Sequence, residues 1–166
     1  MVPSTESNAV DPSSEAVQLW FPLSGGPATA VGVGAEVLAP DRARLLFAPW
    51  SALDAAKGDV YRAHKGDDGK LWAREKVEAS GFCAIRLVLT GDSPIGSLNA
   101  GVEALLDKFF ALGITGSGMF GLAVINIPPD ADITRVRRLL DSGKRDGWWD
   151  YDELCVTDAW RTATQP

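Results

Sequence analysis

Apolar and polar positions change their period twice along this chain. Between Val17 and Ala79 the apolar runs are short, rich in β-branched residues, and cut by glycine and proline. That pattern predicts strands at Val17–Leu23, Thr29–Leu38, Ala43–Ala48, Val60–His64 and Lys70–Ala79, with a hairpin turn at Lys65–Gly69. Gly32 and Gly34 alternate on one face of the second run, as in a strongly coiled strand or one with a close neighbour. From Phe82 onward the pattern predicts strand, helix, strand, helix, strand: Phe82–Leu89, Ser97–Leu112, Leu122–Ile127, Ile133–Leu140 and Leu154–Trp160. The first of these is apolar on both faces except at Arg86, so it belongs in the middle of a covered sheet. Ser97 and Asp132 are placed to cap the two helices, and Gly113 and Gly143 to end them. Leu98, Val102, Leu105, Leu106 and Phe109 share one helix face. In the second helix Ile133, Val136, Leu139 and Leu140 share one, with Arg135, Arg137 and Arg138 outside.

The expected fold class is therefore α+β. A bent antiparallel β-sheet or small barrel (15–80) packs with a ferredoxin-like βαβαβ unit (81–161). No linker-like stretch separates the two regions, so 15–161 reads as a single domain. Residues 1–14 are Ser/Pro-rich and aperiodic and read as a disordered tail; 162–166 read as a second tail.

Composition narrows the function more than the fold. The formal net charge is −6 over 166 residues. Acidity argues against nucleic acid as the main partner, because phosphate binding needs a basic face. The one dense basic run is Arg135, Arg137, Arg138, Lys144 and Arg145. Two cysteines, Cys83 and Cys155, fall inside predicted strands, which fits a reducing compartment better than a disulfide scaffold. Met1–Glu15 has no apolar signal core, and no apolar run reaches membrane-spanning length. The expectation is a cytoplasmic protein with no membrane partner.

Several motifs invite chemistry and fail a simple test of context. Gly116-Ser117-Gly118-Met119-Phe120-Gly121 matches G-x-G-x-x-G, but a helix precedes it and a strand follows. Dinucleotide binding needs the reverse order, so Gly113–Gly121 is expected to be a loop. His64 is the only histidine, and it sits beside a hairpin turn. No ordinary His-based metal site or Ser-His-Asp triad can be assembled around it. Both thiols look buried and inert. No catalytic residue, metal ligand or cofactor is assigned, and enzyme chemistry is not expected.

Two groups remain as candidates. Trp148, Trp149, Asp150, Tyr151, Asp152 and Glu153 combine aromatic rings with carboxylates. Their spacing does not match a Ca²⁺ loop, but Trp and Tyr are favoured contact residues, so the segment fits a protein-binding surface. The alternative is that the two tryptophans cap the core and the acids are solvated. Arg86 needs a carboxylate or water. It is either an anion anchor on an open sheet face with Asp59 and Ser80, or half of an ion pair with Asp59, Glu78 or Asp158.

Taken together, Gly58-Asp59-Val60, the Asp68-Gly69 hairpin, Ser80-Gly81 with Ile85-Arg86, and Ile127-Pro128-Pro129 through Leu139 to Gly147-Trp148-Trp149-Asp150-Tyr151 resemble an uncharacterised bacterial domain-of-unknown-function family. The resemblance covers Leu19–Val156. Members often carry His and Thr within the Ser-Gly…Arg segment, where this chain has Phe82 and Ala84. The resemblance implies a fold grouping and no established activity.

The function expected from the residues is a non-catalytic acidic protein-binding module, such as an immunity or antitoxin-type inhibitor that covers a basic toxin surface. The alternative is a small-molecule (anionic ligand) binding protein or enzyme using the sheet face around Arg86. RNA binding on a ferredoxin-like sheet would need exposed aromatics on the central strands, and Phe82 alone does not supply them.

Overall fold

The computed structural model describes residues 16–24, 26 and 29–163. The expected tail at 1–14 lies outside them. The expected tail at 162–166 lies outside from residue 164; residues 162 and 163 belong to the last helix. The chain forms two compact units, one of residues 16–52 and 57–80, the other of 53–56 and 81–163. The division near Ser80–Gly81 falls where the two sequence patterns meet.

The first unit is a closed barrel of five strands: β1 (Ala16–Pro22), β2 (Ala30–Ala39), β3 (Arg42–Leu45), β4 (Val60–Lys65) and β5 (Leu71–Glu78). Each strand pairs antiparallel with the next. An odd number of up-and-down strands forces one parallel seam, which is β1 against β5 at Leu19–Leu71 and Trp20–Trp72. Alternation along the strands sends Leu19, Phe21, Val33, Ala35, Ala43, Leu45, Tyr61 and Ala63 inward. Phe21 meets the Tyr61 ring edge-on at 5.1 Å, and alanines fill the rest of a narrow interior. The glycine expectation is explained outside the barrel. A Cβ at Gly32 would lie 3.1 Å from the Trp20 indole, and one at Gly34 3.5 Å from the Phe47 ring. The glycines make room for rings lying across the strand.

The second unit runs β6 (Cys83–Leu89), α1 (Leu98–Phe110), β7 (Thr115–Met119), β8 (Leu122–Ile127), α2 (Ile133–Arg145), β9 (Trp149–Cys155) and α3 (Asp158–Ala163). The sheet order is β7-β8-β6-β9, all antiparallel. This is the split βαββαβ arrangement of ferredoxin-like folds. β6 is central, as its apolar sequence requires. Ile85, Leu87, Ile125 and Ile127 meet Val102, Leu105 and Phe109 of α1 and Val136 and Leu140 of α2. No helix among the described residues is long and apolar enough to cross a membrane.

Four sequence expectations are corrected here. The segment Gly113–Gly121, expected as a loop, contains strand β7 and the turn of a tight hairpin. Met119 pairs with Leu122, leaving Phe120-Gly121 as a two-residue turn with φ of 52° and 82°. Positive φ at both positions gives the twist a hairpin needs. Its glycines permit close coiling: a Cβ at Gly116 would stand 2.7 Å from Val124 O, and one at Gly118 2.8 Å from Ala123 Cα. The closing strand is Trp149–Cys155 rather than Leu154–Trp160, and Asp158–Ala163 is helical. α2 continues past Gly143 to Arg145, where Gly147 (φ 77°) turns the chain instead. Ser97 occupies the N-cap position of α1, but its side chain makes no capping hydrogen bond.

Candidate functional site

Strand β9 shows how an acidic, aromatic sequence becomes structural. Alternate residues point to alternate sides. Trp149, Tyr151 and Glu153 face the helices. Trp149 is 1% exposed, donates from Nε1 to Leu140 O at 3.0 Å, and packs on Phe109 and Trp148 with ring centres 5.7 and 5.6 Å apart. Its ring is core, not surface. Tyr151 donates its hydroxyl proton to the Asp141 carboxylate at 2.5 Å. Burial, reinforced by that acceptor, pushes the phenol up to about 12. Glu153 accepts from Trp160 Nε1 at 2.8 Å and from Arg137 at 3.3 Å.

The acids on the other side are also engaged. Asp150 pairs with Lys144 at 3.2 Å; that hydrogen bond and the Tyr151 amide hold its carboxyl below the usual carboxylate range. Asp152 takes Arg86 in a two-pronged pair, Nε to Oδ1 at 3.2 Å and Nη2 to Oδ2 at 2.7 Å. Arg86 thus finds a carboxylate on the neighbouring strand, at the register position directly opposite, in Asp152, which the sequence reading did not name.

Asp59 and Ser80 come together in the barrel unit. Asp59 is 1% exposed and accepts the Ser80 amide at 2.8 Å and Lys76 Nζ at 2.8 Å. The Ser80 hydroxyl donates to Lys57 O at 2.6 Å. These contacts pin the start of β4 to the end of β5. Arg86 belongs to the other unit. His64 is exposed at the end of β4, and its strand partner is Trp72. Cys83 is buried 3.7 Å from the Thr157 hydroxyl, Cys155 is only half-buried where the sequence suggested a buried thiol, and neither is in a disulfide. Among the described residues no three His, Cys, Asp or Glu side chains converge to hold a metal ion.

One concave feature of this unit lies between its helices. A groove of about 450 Å³ is lined by Lys108 and Leu112 from α1 and the turn after it, by Arg135, Arg138, Leu139 and Ser142 from α2, and by Trp148. The spacing i, i+3, i+4, i+7 places the four α2 residues on one flank. Arg137 falls on another flank, where Glu153 holds it 5.1 Å from the Trp160 ring. Among the described residues neither Arg135 nor Arg138 is in an ion pair, and no acidic side chain lines the groove. Lys108 Nζ rests 4.4 Å from the centre of the Trp148 ring. Arg135 stands in the first turn of α2, where the helix dipole disfavours a cation, and its amide donates to the Asp132 cap at 3.2 Å. Three cations, an indole and two leucines in one depression can hold an anion with an apolar body. The sequence marked the basic run but not its partition, with Arg137 and Lys144 held by carboxylates and Arg135 and Arg138 facing the groove.

Comparisons with known proteins add fold and family. The chain is similar in structure to a hypothetical protein from Neisseria gonorrhoeae. The TM-score is 0.67 at 16% sequence identity, over 86% of this chain and 96% of that one. That likeness concerns the fold alone. No curated protein matches the sequence. A family model, Domain of unknown function (DUF4265), matches residues 32–151. That span takes in most of the barrel and the sheet through the first half of β9, so the chain belongs to the DUF4265 family.

Proposed function

We propose that this chain is a non-catalytic binding protein that takes an anionic ligand in the groove between α1 and α2. The observation that carries the reading is the convergence of Lys108, Arg135 and Arg138 on one depression whose lining holds no carboxylate. Like charges gathered in a concave site repel one another and raise the local potential, an arrangement that a bound anion relieves. The acidic-surface reading, with β9 covering a basic toxin, has less support. Asp150, Asp152 and Glu153 already hold cations of this chain, and Trp149 is buried. The small-ligand reading around Arg86 is weakened in the same way by Asp152.

The test is a titration with inorganic pyrophosphate followed by backbone amide NMR shifts. The amides of residues 108–112 and 135–142 should move together along one binding curve. The double variant Arg135→Gln, Arg138→Gln should lose that curve while keeping its far-UV spectrum. Wild-type shifts scattered over the surface, or none in these two segments, would refute the groove as the binding site.

A further inference from the structure

The groove is not built for a bare oxyanion. Leu112, Leu139 and the Trp148 ring make up much of its wall, and a small hydrated anion gains nothing from them. Trp148 is half-buried, anchored edge-on against Trp149, and it lines the groove. Lys108 sits over that ring, and among the described residues it makes no ion pair. A cation on an exposed aromatic face is weakly held, and a lysine stem is long and flexible. The two α2 guanidiniums are one turn apart, and each can present paired N–H groups. With Lys108 they supply three positive charges. A carboxylate carries one negative charge, whereas a phosphate monoester carries close to two and has three acceptor oxygens.

Resting on the groove reading above, we infer that the ligand is an aryl phosphate monoester. Its ring lies on Trp148 in the place Lys108 now occupies, and its phosphate is held by Arg135 and Arg138. Lys108 swings from the indole onto the phosphate as the ring arrives. The exchange moves one cation by the length of its own side chain and leaves the backbone of α1 and α2 in place. The phosphate and the ring are thus recognised by different walls of the same groove.

The experiment compares inorganic phosphate, phenyl phosphate and cyclohexyl phosphate by titration calorimetry at fixed pH and ionic strength. Ring stacking on an indole gives phenyl phosphate about tenfold tighter binding than inorganic phosphate. Cyclohexyl phosphate, with an apolar but non-planar body, falls between the two. Trp148→Leu keeps a bulky apolar side chain against Trp149 and should reduce the preference for phenyl over inorganic phosphate to about twofold. Lys108→Met, which alters only a partly exposed side chain, should weaken all three ligands. In wild type labelled with 5-fluorotryptophan, phenyl phosphate should shift the Trp148 resonance strongly and inorganic phosphate only slightly. This readout does not depend on any variant folding. A phosphotyrosyl tripeptide separates the two sources of this chemistry. Tighter binding than phenyl phosphate assigns the ligand to a phosphorylated protein, and equal or weaker binding assigns it to a free small molecule. If inorganic phosphate and phenyl phosphate bind equally well, the aryl assignment is overturned and the anion groove stands. If neither binds, the groove reading itself is overturned.

Discussion

Replacing Gly143 with alanine should destabilise the ferredoxin-like unit by about 2 kcal/mol, although the change adds a good helix former to the inside of a helix. Gly143 lies within α2, buried under the Trp149 indole. A Cβ there would stand 2.8 Å from Trp149 Cη2 and closer still to Cζ2 and Cε2. Those are stiff ring atoms, so the indole must retreat. It is hemmed in by Phe109 and Trp148 and tied to Leu140 O through Nε1. Forcing a methyl into such packing costs about 1–3 kcal/mol. Losing or stretching the indole hydrogen bond adds about 1 kcal/mol. Removing a mid-helix glycine returns about 1 kcal/mol.

The sign of the effect separates two readings. If Gly143 simply stopped the helix, alanine would extend and stabilise it. If it provides clearance for Trp149, alanine destabilises. Urea unfolding followed by near-UV and far-UV circular dichroism measures the difference. The slope of the transition should match wild type, so that the midpoint reports stability rather than a change of mechanism. A Gly143→Ala midpoint equal to or above wild type would refute the clearance argument. Gly143→Ala combined with Trp149→Phe should recover much of the loss, because the smaller ring frees the volume.

Three further outcomes follow from local geometry. Phe120→Asn should raise stability by about 1 kcal/mol in thermal unfolding, because Phe120 is 71% exposed and held at positive φ in a turn that favours Asn-Gly. A lower melting temperature would mean the exposed ring contributes packing that outweighs its strain. Tyr151 should titrate near 12 in ultraviolet difference spectra, and Asp141→Asn should bring it down. Its folded pKa is raised, so the stability it contributes is complete below about pH 10 and is lost as pH climbs from there through 12. Tyr151→Phe should flatten stability across that window, and an unchanged slope would discount the pair. Lys76→Met should cost the barrel about 2 kcal/mol by leaving the Asp59 charge buried without its cation, less than a fully enclosed pair because Lys76 is 26% exposed. A loss below the error of the denaturation curve would mean water reaches Asp59.

The legibility of this chain divides along physical lines. Strand β8 could be read to the residue, and β6 to within one, because a central strand that buries one face against helices and carries little charge on the other reads as a continuous apolar run. The barrel strands were legible through their Gly/Pro punctuation, though not the closure of β1 on β5, which is a contact between distant residues. Strand β7 was hidden because Thr115–Met119 has glycine where side chains would collide with β8, and glycine reads locally as loop. Its turn, Phe120-Gly121, lacks the Asn or Asp that would have announced it. Strand β9 was hidden for the opposite reason. An edge strand tolerates charge, and the acids at 150, 152 and 153 outweighed the alternation of Trp149 and Tyr151 beneath them. Gly143 misled because a glycine late in a helix reads as a stop, whereas its role is set by an indole six residues on.

The net charge does not by itself locate a binding surface, because ion pairs redistribute it over the molecule. A total of −6 describes the whole molecule, but a ligand samples the field within a screening length of about 8 Å. Over that distance the relevant quantity is what remains after internal pairing. On β9 the carboxylates are matched with Lys144, Arg86 and Arg137. Pairing there removes negative charge from the strand and withdraws Arg137 from the basic run. It does not touch Arg135 and Arg138, which lie on the other flank of α2. An acidic sequence can therefore carry a positive groove, and the acids that make the chain acidic need not be available to a partner. The groove's ligand should accordingly bind less tightly as salt rises while the long-range charge stays negative. Association would then be slowed by the distant charge and dissociation hastened by screening of the near one, so salt should change both rate constants in the same direction. A basic partner recognised through the overall acidity would instead show its salt dependence mainly as a fall in association rate.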